Sequence, residues 1–597
     1  MRFSGFVLTL VGLVLTAAQS FGTPTVAFKE PVTYSTTVFG ANSVVSVDVN
    51  ADGYPDNVVA TNNGVAVFIN NGDGTFQPAV VYSTNGLLSN SVAVVDVNGD
   101  GYPDIIATNT CTQDAPLCYG IAVLLGNGDG TFQSAVNYDS GGLETGAIVV
   151  GDVNGDGYPD LIVASNCQEF TCAGGTLTEL LNVGSANPGT FQKYTTLSDA
   201  KAPLALGDMN NDGILDLVTS AGVSLGNGDG TFQSPIASIV PGAISITLAD
   251  VNNDGILDVM AVVPTSNTLG KVSVQLGNGD GTLKNSVLFA TGSTRNGTNP
   301  LSVAVADFNG DNKPDLAVIN ECINYTGLGC LLGSTIGVLA GNGDGTFKTA
   351  VAFQTGGYEG TSVAAADVNQ DGKPDLVASN ACVIQAYTCS TDGVVGVLIN
   401  SFTVATTTTI TSSLNPTIPG TPVTFMATVK SAGNVSPIPD GSSVTFTDSV
   451  GSATLCSTIT TGGVAYCTAA FSTVGNHVIT ATYAGDLYHT GSFGKVTEKV
   501  NQYPSTTTVT ATQAGAGQPV TLSATVSSGE TPYPTGYVYF WNGPANTGKS
   551  LGSANLINGV ATLPAKHFAA GPYTFTGVYH GDTLTATSTG STTQNVN

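Results

Sequence analysis

Ser91-Val-Ala-Val-Val-Asp96-Val-Asn-Gly-Asp100-Gly-Tyr-Pro-Asp104-Ile-Ile-Ala-Thr108 is the stretch on which the reading of this chain turns. Two short β-branched runs flank a loop of the form Asp-x-Asn-x-Asp-Gly-x-x-Asp, which reads as strand, tight turn, strand. The phrase begins again at Asp48, Asp96, Asp152, Asp208, Asp250, Asp307 and Asp367, at intervals of 42 to 60 residues. Self-similarity on such a period is the mark of a repeat architecture.

Downstream of Thr108 come a variable insert with two cysteines, a third apolar run (120–125), the turn Asn127-Gly-Asp-Gly130 and a fourth run ending at Tyr138. Four short strands per unit in several units predict a β-propeller, whose radial repetition leaves few exposed sheet edges. The seventh unit has its third strand at Val394–Asn400 and no fourth-strand phrase after it. Phe28-Lys-Glu-Pro-Val-Thr-Tyr34 repeats the Phe-to-Tyr spacing of Phe76–Tyr82 and Phe132–Tyr138. Residues 25–35 are therefore expected to complete the last of seven blades.

Beyond Phe402 the loops vanish and Thr, Ser and Val dominate. Pro422-Val-Thr-Phe-Met-Ala-Thr-Val429 returns as Pro519-Val-Thr-Leu-Ser-Ala-Thr-Val526, and Tyr483-Ala-Gly-Asp486 as Tyr579-His-Gly-Asp582. Two immunoglobulin-like β-sandwiches are expected, over 403–501 and 502–597. The fold class is thus all-β: an export signal (1–20), a seven-bladed propeller (21–402) and two sandwich modules. Arg2, the apolar run Phe6–Ala18 and the small residues Ala18-Gln19-Ser20 carry the signal reading. No second apolar run is long enough to span a bilayer.

The repeated loop offers the oxygens a hard cation wants. Positions 1, 3, 5 and 9 supply side chains and position 7 a backbone carbonyl, while position 6 must turn sharply. The expected calcium ligands are Asp48, Asn50, Asp52, Tyr54 and Asp56 in the first copy, and Asp96, Asn98, Asp100, Tyr102 and Asp104 in the second. They continue as Asp152, Asn154, Asp156, Tyr158 and Asp160, then Asp208, Asn210, Asp212, Ile214 and Asp216, then Asp250, Asn252, Asp254, Ile256 and Asp258. The last two copies give Asp307, Asn309, Asp311, Lys313 and Asp315, and Asp367, Asn369, Asp371, Lys373 and Asp375. About seven structural Ca²⁺ sites follow. The bland alternative, a set of metal-free Asx turns, must accommodate three carboxylates crowded into every loop.

These loops supply half of the 42 acidic residues against 15 basic ones, a net charge of −27. Phosphate binding needs basic patches, so nucleic acid is excluded as a partner. All ten cysteines fall in close pairs, which with an export signal points to disulfides. By nearest neighbour these are Cys111/Cys118, Cys167/Cys172, Cys322/Cys330, Cys382/Cys389 and Cys456/Cys467.

The phrases Asp-Val-Asn-Gly-Asp-Gly-Tyr-Pro-Asp and Gly-Asn-Gly-Asp-Gly-Thr-Phe resemble FG-GAP/VCBS repeats and the loops of integrin α-subunit propellers, over residues 25–402. The resemblance implies calcium in the loops between first and second strands. In the third unit Gly184-Ser-Ala-Asn-Pro-Gly189 departs from the turn phrase. Residues 403–597 are similar to bacterial Ig-like domain 3 repeats, which implies spacer or adhesive modules.

In up-and-down blades the calcium loops and Asn-Gly-Asp-Gly turns (at Asn71, Asn127, Asn227, Asn278 and Asn342) share one face. The variable cysteine-bearing loops share the other, where recognition by loops on a rigid frame is expected. Tyr119, Phe170, Arg295, Tyr325, Tyr358 and Tyr387 lie in those segments. The expected function is a secreted or cell-surface, calcium-binding, non-catalytic adhesion protein recognising an extracellular protein or glycan, with the sandwich pair as spacer. The rival is a carbohydrate-active lyase or hydrolase, or a lectin, on a propeller. Against the enzyme, all four histidines (His477, His489, His567, His580) lie beyond the propeller, and no zinc motif occurs. Against the lectin, the single tryptophan, Trp541, also lies outside it.

Overall fold

Alternating apolar residues and turn-forming glycines build a chain of strands. The computed structural model describes residues 26–110, 120–167, 175–198, 203–236, 239–263, 270–292, 298–322, 333–382, 384–385, 388–389, 392–432, 438–529 and 533–597. Among these there is no α-helix, and two units emerge, Met1–Thr403 and Val404–Asn597. The export-signal reading falls on residues outside those described.

The first unit is a seven-bladed β-propeller of antiparallel sheets. Blade 2 is typical: Leu88–Val95, Asp104–Thr110, Ile121–Leu124 and Val136–Tyr138, each paired with the next. First strands pack on first strands from blade to blade, and that of blade 7 (Tyr358–Ala366) packs on that of blade 1 (Ser43–Val47). In blade 7 the strand Val394–Leu398 is flanked by Val32–Ser35, with Val32 opposite Val397 and Ser35 opposite Val394.

The recurrent Phe and Tyr are a ladder between blades. Tyr82, ending blade 1, meets Phe132 of blade 2 edge-on at 5.4 Å; Tyr138 meets Phe191 at 5.5 Å and Tyr34 meets Phe76 at 5.5 Å. Such pairs add about 0.5–1.5 kcal/mol each beyond the area they bury.

Two features depart from the uniform four-stranded expectation. Blade 4 has three strands (Leu204–Gly207, Asp216–Thr219, Gly222–Ser224) among the described residues. Ile236, the counterpart of Val136 in blade 2, donates its N–H to the Val223 carbonyl, and the two residues that follow it lie outside those described. The cysteine-bearing blades 2, 3, 6 and 7 have longer first strands, each interrupted by a β-bulge: Leu88–Val95, Leu143–Gly151, Thr298–Ala306 and Tyr358–Ala366.

The second unit holds two sandwiches. In the first, Thr406–Ser412, Val423–Ser431 and Val464–Ala469 face a four-stranded sheet ordered Thr454–Ile459, Ser443–Asp448, Gly475–Gly485, Thr490–Val500. Cys456 and Cys467 join the two sheets by a disulfide. The second repeats the plan with Ser505–Gln513, Val520–Ser528 and Val560–Lys566 against Lys549–Asn555, Tyr537–Asn542, Gly571–Tyr579 and Ser588–Val596. Each has its own core, around Phe425, Phe446 and Tyr483 or around Phe540, Phe575 and Tyr579.

Candidate metal centre

Each candidate loop begins where a first strand ends and closes where the second begins. Position 2 anchors it: Val49, Val97, Val153, Met209, Val251, Phe308 and Val368 are all buried. Position 6 takes the left-handed conformation, from Gly53 at φ 90° to Asn312 at φ 59°. Position 4 does so as well in every copy, including Ala51 (φ 59°) and Gln370 (φ 52°). The sequence signal for this second reversal, Gly or Asn in five of the seven copies, is visible once sought.

These two reversals gather the oxygens of positions 1, 3 and 5. Asp48 Oδ2 accepts the Gly53 N–H at 2.7 Å, and its Oδ1 accepts those of Asn50 (3.2 Å) and Asp52 (3.3 Å). Asn50 Oδ1 accepts the Asp52 N–H at 3.1 Å and Asp52 Oδ1 that of Tyr54 at 2.8 Å. All but the Asn50 bond recur in the other six copies, with Asp96 and Gly101 at 2.8 Å and Asp367 and Gly372 at 2.7 Å as examples; the counterpart of the Asn50 bond is present at Asn98, Asn252 and Asn309.

Position 9 is set apart. Asp56, Asp104, Asp160, Asp216, Asp258, Asp315 and Asp375 are fully buried. Asp104 Oδ2 accepts the Val97 N–H at 2.9 Å and its Oδ1 the Gly126 N–H at 2.7 Å. Asp56 does the same with Val49 and Asn70. One carboxylate thus ties the loop to the entry of the turn between third and fourth strands. Burial raises these carboxyls, to about 6 in Asp56, Asp104 and Asp160, about 7 in Asp375 and about 8 in Asp315. The two amides pull them down, and the carboxylates at positions 5 and 1 push them up.

Among the described residues no three Asp, Glu, His or Cys side chains converge as a preformed cage. The donor set nevertheless suits a hard cation. It is all oxygen, and each carboxylate oxygen that accepts one amide keeps a second lone pair. Asp48, Asn50, Asp52 and the Tyr54 carbonyl are the groups available to hold such an ion in the first copy, with Asp56 beneath them. The corresponding residues of the other six copies stand in the same order.

The Asn-Gly-Asp-Gly turns are built as hairpin connections. In blade 1 the Asn71 N–H donates to the Thr75 carbonyl at 2.8 Å, and Asp73 Oδ1 accepts from Thr75 N and Oγ1. Those threonine bonds hold the exposed Asp73 and Asp129 carboxyls below the usual range. The glycine at 128 is obligatory: a Cβ there would come within 2.4 Å of the Tyr102 ring, and φ is 78°.

Several functional positions have no simple motif. Asn70 Nδ2 donates to Pro55 O (2.9 Å) in its own blade and Val368 O (2.7 Å) in blade 7; Asn182 and Asn400 bridge in the same way. A cleft of about 390 Å³, lined by Ile236, Val240, Gln275 and Lys284 among others, lies beside the short blade 4. Glu179 is buried in the third strand of blade 3, and neither carboxylate oxygen has a hydrogen-bond partner among the described residues. The register puts Val67, Val123, Val223, Val274, Val338 and Val397 at this place in the other blades. Burial, then the nearby Asp160 and Asp229, raise its carboxyl to about 8.

Of the residues expected on the opposite face, Tyr358 is half-buried and pairs with Cys382. Tyr119, Phe170, Arg295, Tyr325 and Tyr387 lie outside the described residues, as do Cys111, Cys118, Cys172 and Cys330. The side chains of Cys167, Cys322 and Cys389 are likewise outside them. Cys382 is buried and disulfide-bonded.

The FG-GAP-like repeat family matches residues 48–107, 113–163, 250–318 and 331–378, and the bacterial Ig-like domain (group 3) family matches 399–501 and 506–597. The stretch between 163 and 250, which holds Glu179 and blade 4, falls between repeat matches. No curated protein matches the chain. Among solved structures, BBS1N from a complex with ARL6DN is 11% identical, covering 62% of this chain and 96% of that one at a TM-score of 0.38. A tetra-tandem repeat from the extending region of a large adhesion protein is 14% identical, covering 75% and 98% at 0.27. The fibronectin(III)-like modules of Clostridium thermocellum CbhA are 20% identical, covering 32% and 94% at 0.14. At such TM-scores these likenesses carry no argument.

Proposed function

This chain carries FG-GAP-like repeats followed by two bacterial Ig-like domains, and from that premise we propose an exported, calcium-stabilised, non-catalytic ligand-binding or adhesion protein. The observation that supports it best is the sevenfold loop. Seven copies hold the same oxygen donors in the same order around two left-handed residues. Calcium at each loop fixes positions 1, 3 and 5 on the blade's rim while the position-9 carboxylate holds the strands beneath. In that reading the ion is structural. At about 1 mM free Ca²⁺ and a Kd of about 0.1 mM each site contributes about 1.4 kcal/mol, and seven approach the whole stability of an ordinary domain.

Ligand contact falls to the face opposite the calcium loops, where blades 2, 3, 6 and 7 carry their longer hairpins. Both families are of repeat and Ig-like types, which fits a binding rather than a catalytic part. Among the described residues no helix is long and apolar enough to cross a membrane.

The test is elemental analysis of the purified exported protein with scanning calorimetry in EDTA and in 1 mM Ca²⁺. Several bound calcium ions and a transition that falls in EDTA and returns with calcium are expected. No bound calcium together with an unmoved transition overturns the reading.

A further inference from the structure

On the outer face of the second sandwich one strand carries a row of aromatic rings. Tyr537–Asn542 buries Val538 and Phe540 in the core and presents Tyr537, Tyr539 and Trp541 on the other side. Tyr537 is 41% exposed, and Tyr539 and Trp541 are half-buried. His580 joins them, stacked on Tyr537 with centroids 5.6 Å apart and edge-on to Tyr539 at 5.2 Å. Tyr537 and Tyr539 are themselves 5.3 Å apart.

The neighbouring strand lays short polar side chains beside each ring. Asn555 stands opposite Tyr537, Ser553 opposite Tyr539 and Ser550 opposite Trp541, and all three are exposed. Lys549 is the one charged residue in the two strands that flank the row.

The first sandwich serves as an internal control. Its equivalent strand buries Val444 and Phe446 and pairs Val444 with Tyr483, as Val538 pairs with Tyr579. At the aromatic positions it carries Ser443, Thr445 and Thr447, and Ala484 stands where the second has His580. The same sandwich therefore packs without these rings, and the row is not needed for the core.

A pyranose presents an apolar C–H face and a rim of hydroxyls, the complement of an aromatic row edged by hydroxyls and an amide. Charge narrows the class. The row and its flanks are almost uncharged, and a chain of net charge −27 repels polyanions. We propose that Tyr537, Tyr539, Trp541 and His580 form a stacking site for a neutral polysaccharide chain. This gives the second Ig-like domain a binding role of its own, beyond the propeller's and independent of calcium.

Trp541 is the only tryptophan in the chain, so its emission reports from the site itself. The full exported protein is run through gels containing hydroxyethylcellulose, xyloglucan or galactomannan, with pectate as the charged control, and its fluorescence is titrated with the same polymers, all in EDTA. Retardation and an emission shift with at least one neutral polymer are expected. The Tyr537→Ala/Tyr539→Ala variant loses about tenfold or more in affinity, and Thr445→Ala/Thr447→Ala in the first sandwich loses none. A calorimetric transition matching the parent's shows that the variant is folded, and the emission titration of the unaltered chain stands whatever the variant does. Three outcomes overturn the proposal: no neutral polymer binding, binding only to pectate, or undiminished binding by the folded tyrosine variant. Because EDTA is present throughout, failure here is separate from failure of the calcium reading.

Discussion

Replacing Asp104 with alanine separates what the ninth carboxylate does for the strands from what the loop does for an ion. Asp104 is fully buried and accepts two amides, Val97 N at 2.9 Å and Gly126 N at 2.7 Å. Removing it leaves both donors without an acceptor in a dry site, at about 1–3 kcal/mol each, so Asp104→Ala costs about 2–6 kcal/mol with or without metal. Asp100 is exposed, and its bonds from Tyr102 N and Asn98 Nδ2, both at 2.9 Å, are readily replaced by water. Asp100→Ala is therefore expected to cost about 0.5 kcal/mol in EDTA. In 1 mM calcium it costs in addition the site's contribution of about 1.4 kcal/mol. The assay is urea denaturation of the full chain in both buffers, with hydrogen exchange by mass spectrometry to place the loss in blade 2. An Asp104→Ala cost under about 1 kcal/mol in EDTA refutes the reasoning about the amides. Equal costs for Asp100→Ala in the two buffers refute the metal.

Three further outcomes are expected. The raised Glu179 carboxyl keeps its proton in the folded chain where the unfolded chain releases it, so the parent loses stability as pH rises from about 4.5 to about 8. Glu179→Val removes that slope and gains on the order of 3 kcal/mol at pH 7, and parallel melting curves for parent and variant between pH 5 and 8 count against it. Asn70→Gly, the residue blades 2, 4, 5 and 6 carry there, breaks the bridge to Val368 O. It should cost about 1–3 kcal/mol and speed hydrogen exchange in the Val368 loop as well as in blade 1; exchange confined to blade 1 speaks against the bridge. Cys456→Ser/Cys467→Ser lowers the melting temperature of the first sandwich by the equivalent of about 3 kcal/mol and leaves the second unmoved, as calorimetry in reducing and oxidising buffer checks.

The loops, the strand order and the role of Val32–Ser35 were legible because each rests on a local signal: a nine-residue phrase, a turn, or a Phe–Tyr spacing. The pairing of Cys456 with Cys467 was legible for the same reason. Glu179 was not, because its meaning lies in a register across six valines that no single segment displays, and shifting a strand by one residue moves a side chain to the other face. The second reversal at position 4 stayed hidden where Ala51 and Gln370 occupy it, since neither residue favours that geometry. Trp541 stands out in the sequence only as lying outside the propeller; its alignment with Tyr537 and Tyr539 emerges once the two sandwiches are compared strand by strand.

The pairing of Val32–Ser35 with Val394–Leu398 has a bearing on how the protein is made. The first strand among the described residues has no mate until some 360 residues later, the largest sequence separation of any strand pair among them. Any break in synthesis or proteolytic clip ahead of Val394 strands it as a bare edge ready to recruit a neighbouring molecule. Quality control of the nascent propeller is thus concentrated at one event, the meeting of that unit's first and last strands.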